Sequence, residues 1–146
     1  MTQANLSVSF MVEQSPQEVF DAVNDVRGWW SGEIEGPTDA LGAEFVYSYQ
    51  DLHRTTQRIT EWVPEKRVVW HVVRSYLSFV DDKHEWDGTD IVFDIERKGN
   101  QTELRFTHLG LVPAVACYGK CAEAWDFYIT DSLRKLITTG KGEPNL

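Results

Sequence analysis

Ser15-Pro16-Gln17-Glu18-Val19-Phe20 is the stretch that decides how this chain folds. Ser15 predicts a helix N-cap, Pro16 the first helical residue and Glu18 the third, which together make a capping box. Immediately upstream, Leu6-Ser7-Val8-Ser9-Phe10-Met11-Val12 alternates apolar and polar side chains, the mark of a half-buried strand over about residues 5–13. Val19, Phe20 and Val23 then recur at helical spacing as far as about Asn24. Asp25 can cap a second helical turn ending near Gly28, and Gly28-Trp29-Trp30-Ser31-Gly32 follows. The order is strand, abrupt turn, two short helices and a tryptophan pair ahead of a glycine turn.

A run of strands comes next. Glu44 to Tyr49 places Phe45, Tyr47 and Tyr49 on one face. Thr55 to Val63 mixes β-branched and charged residues, and Pro64-Glu65-Lys66 turns the chain into Arg67–Val73. That strand is apolar on both faces, which predicts a central position, and leaves either Trp70 or His71 to look inward. Residues 75–87 read as a long polar loop dotted with aromatics, of the kind that often serves as a lid or binding loop. Asp90 to Arg97 and Thr102 to Leu109 form a hairpin about Lys98-Gly99-Asn100-Gln101. A long amphipathic helix is predicted from about Ala114 to Thr138, with Tyr118, Cys121, Trp125, Tyr128 or Ile129, Leu133 and Leu136 as its apolar stripe. Gly140 and Gly142 end it. The fold class is α+β: about six antiparallel strands curved around one long C-terminal helix, with two short helices closing an edge. Residues 1–146 read as a single domain, its core at about 5–139 and residues 140–146 a tail.

Composition limits the function. A net charge of −9 argues against a nucleic-acid partner, which needs clustered Lys and Arg. The nearest such group, Arg54, Arg58, Lys66 and Arg67, is interrupted by Glu61 and Glu65. No apolar run approaches the ~20 residues of a membrane span, and the first residues lack a secretory signal, so a cytoplasmic location without membrane insertion is expected. Cys117 and Cys121 are the only cysteines. One helical turn apart they bridge poorly, and two reduced thiols are expected.

These pieces resemble the START-like superfamily with the helix-grip fold, also called SRPBCC, and within it the branch of activator of heat-shock protein 90 ATPase homologues. The residues that carry the resemblance are Ser15-Pro16-x-Glu18-Val19-Phe20, Trp29-Trp30, Leu41-Gly42-Ala43-Glu44-Phe45, Arg58 to Pro64, Lys66 to Trp70, and Thr107-His108-x-Gly110. The resemblance covers nearly the whole chain. It implies a sheet that need not close fully on its helix, leaving a cavity. It implies no single function, because the superfamily includes lipid carriers, polyketide cyclases, hormone receptors and co-chaperone domains.

The leading expectation is a binding protein for a small apolar or amphipathic molecule held between sheet and helix. Trp30, Trp70, Phe93, His108, Cys117, Cys121 and Trp125 are the cavity candidates, with His108 and the thiols as polar or soft contacts. Trp29 and Trp30 either gate the cavity or plug it. A cyclase- or aromatase-like enzyme is the alternative, with His108 as base or an acid such as Glu61 at the wall. His108 can equally be a satisfied strand-end histidine. A heat-shock-protein-interacting module is the third reading. A homodimer is allowed but no strip of residues argues for one. No metal or cofactor is expected: Cys117 and Cys121 with His108 or His84 match no zinc spacing. Asp81, Asp82, Glu85 and Asp87 read as a solvated loop, and Arg54 and Arg58 as partners for acids on neighbouring strands.

Overall fold

The computed structural model describes residues 6–30, 33–49, 53–78, 84, 86–111 and 118–143. Among these residues seven strands form one antiparallel sheet: β1 Leu6–Val12, β2 Glu33–Glu35, β3 Glu44–Tyr49, β4 His53–Val63, β5 Arg67–Leu77, β6 Asp90–Lys98 and β7 Gln101–Leu109. Their order is β1-β7-β6-β5-β4-β3-β2. The three-residue β2 is the strand that sequence reading missed, because Glu33-Ile34-Glu35 is too short to show a period. The doubly apolar β5 lies at the centre, as its pattern predicts, and Trp70 rather than His71 looks inward. Trp70 is fully buried, whereas His71 is half-exposed on the outer face, its Nδ1 2.8 Å from Asp90. β5 also runs on to Leu77, into the segment read as loop. Register shifts at Thr56/Gln57 and Ile59/Glu61 interrupt the β4–β5 ladder, and such bulges increase strand twist and curl a sheet.

The capping box forms as read. Ser15 Oγ accepts from Glu18 N at 3.1 Å, and Ser15 N donates to Glu18 Oε1 at 3.3 Å. It starts α1, Pro16–Asn24, which buries Val19, Phe20, Ala22 and Val23. A single 3₁₀ turn, Val26–Gly28, follows, and the Asp25 side chain makes no capping bond to it. Arg27 instead reaches across to β2, donating to the carbonyls of Ile34 (3.0 Å) and Gly36 (2.9 Å).

The C-terminal helix is α2 Tyr118–Asp126, a π-helical stretch Phe127–Leu133, and α3 Arg134–Thr139. Its predicted start at Ala114 lies outside the described residues. Cys121, Trp125, Ile129, Leu133 and Ile137 are its buried stripe, spaced four residues apart throughout. In a regular α-helix each four-residue step overshoots a turn by about 40°, so such a stripe would wind off the sheet. The wider i→i+5 turn of the π stretch absorbs that drift. It also shifts the stripe by one residue, so Ile137 is buried where Leu136 was expected and Leu136 is only partly covered. Gly140, at φ 84°, caps α3 by donating to the Leu136 carbonyl at 3.0 Å. The chain then folds back: Ser132 Oγ donates to the Trp29 carbonyl (2.7 Å) and accepts from Glu143 N (2.9 Å).

Candidate functional site

The inward faces of β3 to β7 look at the helix. Alternation, re-phased along β5 by the register shift at Thr56/Gln57, places Phe45 and Tyr47 of β3, Thr55, Gln57 and Ile59 of β4, Trp70 and Ser75 of β5, Phe93 of β6 and Phe106 and His108 of β7 there, all buried. Trp125 meets them from α2 and Trp30 from the turn after α1.

Five of the six tryptophans form one aromatic assembly. Trp29 stacks on Trp70 at 6.1 Å, and Trp30 on Trp70 at 5.8 Å and on Tyr47 at 4.0 Å. Trp30 leans on Trp125 at 5.2 Å, and Trp125 stacks on Trp86 at 5.9 Å. Phe45 and Phe93 set their rings edge-on to Trp70. The Trp29–Trp30 pair is therefore wholly interior: the rings are 0% and 3% exposed. Trp29 Nε1 donates to the Val23 carbonyl at 3.1 Å, but Trp70 Nε1 is buried without a hydrogen-bond partner among the described residues.

Around Trp86 the wall turns polar. His53 and His108 each stand perpendicular to its indole at 4.7 Å. His108 is completely buried and both ring nitrogens are engaged. Trp125 Nε1 lies 3.2 Å from its Nδ1, and Thr89 Oγ1 lies 2.9 Å from its Nε2. An indole N–H can only donate, so Nδ1 accepts and Nε2 carries the proton. Nε2 then donates to Thr89 Oγ1, whose own hydrogen goes to the Trp86 carbonyl at 2.6 Å. Burial lowers His108 from 6.5 to about 3, with charge repulsion from His53 adding to it, and burial alone lowers His53 to about 4. Both imidazoles are neutral at pH 7. The segment bearing Trp86 is tied to β5: Asp87 Oδ1 accepts from Ser75 N (2.6 Å) and Ser75 Oγ (2.7 Å), and His84 Nδ1 donates to the Ser75 carbonyl (2.6 Å).

The geometry therefore brings together Trp30, Trp70, Phe93, His108 and Trp125. Cys121 is buried on the same helical stripe, but it is disulfide-bonded, which corrects the expectation of a reduced thiol. That expectation assumed two cysteines one turn apart in a regular helix, whereas the described helix begins at Tyr118. Cys117 lies outside the described residues, as do Asp81, Asp82 and Glu85. Glu61 is on the outer face, 3.1 Å from Arg67, and Arg58 pairs there with Glu44, its Nε donating at 2.7 Å. Sequence reading missed His53, Thr55, Gln57, Ser75 and Trp86. On β4 the first three sit at every second position, so alternation showed that they share a face without showing that the face is buried.

A curved antiparallel sheet gripping a C-terminal helix, with a short helix after the first strand, is the START-like, or SRPBCC, helix-grip fold. The family model described as "Activator of Hsp90 ATPase homolog 1-like protein" matches residues 13–138, and the chain belongs to that family. Solved structures agree in fold. The Aha1 dimer from Colwellia psychrerythraea superposes with a TM-score of 0.75 at 24% identity, over 95% of this chain and 99% of that one. DynU16, a protein of the dynemicin biosynthetic locus, gives 0.67 at 18% identity over 97% of this chain, which spans only 51% of DynU16. CalU16 from Micromonospora echinospora gives 0.65 at 15% identity, over 94% and 76% of the two chains. A search of curated proteins returned no match. No helix among the described residues is long and apolar enough to cross a membrane.

Proposed function

We propose that this protein binds a small amphipathic molecule, largely planar and apolar with hydrogen-bonding groups toward one end, between the inward face of the sheet and the C-terminal helix. The observation that carries this reading is the lining itself. Its aromatic side is continuous with a strip of buried hydrogen-bonding side chains, Thr55, Gln57, Ser75 and His108, each at most 3% exposed. A core that serves stability alone gains little from so many buried polar groups, since even when hydrogen-bonded to one another they return little beyond their own desolvation. A ligand with polar groups at one end gives the strip a purpose, and the unpartnered Trp70 Nε1 adds a donor on the aromatic side. DynU16, which shares the fold and belongs to the dynemicin biosynthetic locus, fits a ligand of this kind.

Within this reading His108 is a wall residue. Its acceptor nitrogen is already taken by Trp125, so a role as general base would first require breaking that bond. The test is titration with 1-anilinonaphthalene-8-sulfonate and with neutral naphthol-type probes, followed by tryptophan fluorescence. Saturable binding that weakens about tenfold in Gln57→Leu, the loss of one strong polar contact, is expected. Saturable binding unchanged in Gln57→Leu removes the polar strip from the reading. We also extend the dimeric state of the Colwellia relative to this chain.

A further inference from the structure

The two edges of the sheet, β1 and β2, are protected very differently. An edge strand offers unpaired N–H and C=O groups to any passing strand, and monomeric proteins blunt it with charge, shortness, proline or a bulge. β2 has such protection. It is three residues long, carries exposed Glu33 and Glu35, and Arg27 occupies the carbonyl of Ile34. β1 has none. It is seven residues, Leu6–Val12, with no charge and no proline. It runs in unbroken register along β7, from Leu6↔His108 to Val12↔Thr102. Among the described residues no strand pairs with its outer edge.

The side chains beside that edge are also incompletely covered. Ser7 and Ser9 are exposed on the outer face. On the inner face Val8 and Phe10 are only half-buried, and so are Tyr128 and Leu136 on the helix. The π-helical stretch and α3 pack along β1. Charge narrows the partner. At −9, two copies repel each other over most approaches, and Leu6–Val12 is an uncharged strip through which they can meet.

We propose that β1 is the surface through which two copies of this chain associate, strand against strand in antiparallel register about a two-fold axis. The inference rests on the dimeric reading above and assigns it a place. An antiparallel edge is self-complementary under a two-fold, so one surface serves both subunits. Pairing extends the seven-stranded sheet across both chains, and the half-buried Val8 and Phe10 supply an apolar layer beneath the joined strands. Backbone pairing over one short strand falls below the roughly 1,200 Å² of a stable interface, which is why that apolar layer is needed.

Sedimentation velocity across a concentration series tests this on the full chain. Ser9→Glu and Met11→Lys are the variants. Ser9 lies opposite Arg105 and Met11 opposite Glu103 on β7, so each new charge has a partner within its own sheet. Circular dichroism checks that folding is kept, and Glu33→Gln on β2 is the control. The expected result is a wild-type dimer whose dissociation constant rises at least about tenfold in both variants and is unchanged in the control. A wild-type chain that stays monomeric to about 1 mM overturns the dimeric reading itself. A wild-type dimer that both variants leave intact, or that Glu33→Gln weakens as much, keeps the dimer and overturns the assignment to β1.

Discussion

His108 is the residue in which structure and chemistry meet most closely. Trp125 and Thr89 use up the hydrogen-bonding capacity of its two ring nitrogens, so its place in the buried interior comes with a fixed tautomer and no charge. That has a consequence for pH. His53 and His108 titrate in the folded protein at about 4 and about 3, against 6.5 when exposed. Below 6.5 the unfolded chain therefore binds more protons than the folded one. The stability this provides is complete above about pH 6.5 and drains as the pH falls through the window down to 4 and 3, at about 1.4 kcal/mol per pH unit for each histidine. Urea unfolding at pH 7 and pH 5 measures it, and His53→Gln should reduce the difference by roughly 2 kcal/mol. An unchanged difference would mean that carboxylates alone carry the acid sensitivity. His108 was legible from sequence because it continues the apolar alternation of Leu104 and Phe106. His53 was not, because it opens a strand, His53-Arg54-Thr55-Thr56-Gln57, in which the buried positions are as polar as the exposed ones.

At the scale of elements, local signals succeeded where they are self-contained. The capping box needs only Ser15 and Glu18, and α1 starts where they put it. The centrality of β5 needs only its two apolar faces. The π-helical stretch is different. Nothing in Phe127–Leu133 departs from an α-helical pattern, and its phase shift is visible only in which residue is buried next, Ile137 in place of Leu136. The contacts made there are long-range. Ser132, fully buried, joins the Trp29 carbonyl to the returning chain at Glu143, which fixes the Trp29–Trp30 turn against the helix. Ser132→Ala should therefore cost about 1–3 kcal/mol in chemical denaturation, more than one exposed hydrogen bond is worth. Gly142→Ala tests the same junction by crowding, since a Cβ there would lie 2.3 Å from the Gly28 carbonyl oxygen. Wild-type stability in both would show that the tail does not hold the tryptophan turn.

For the molecule as a whole, the sheet and the helix are two walls joined by buried aromatic rings, with buried polar groups on one side. Sequence reading found the walls, since strand alternation and the helical stripe each name a face. It could not find how the faces meet. The Trp86–Trp125 stack and the His53–Trp86–His108 arrangement join residues from β4, β7, α2 and the segment before β6, and no local pattern encodes such a meeting. Because Trp30, Trp70, Trp86 and Trp125 all line this interior, any molecule held there must alter their indole environments. The most direct measurement is native mass spectrometry of the protein taken gently from its own cells, with the released small molecule identified and added back while the indole N–H signals are followed by NMR. A bound amphipathic molecule in stoichiometric amount, whose return shifts the Trp70 and Trp125 indole signals, is the expected result. A bare chain whose indole signals stay unmoved by every amphipathic probe offered would contradict the proposal that this fold grips a ligand.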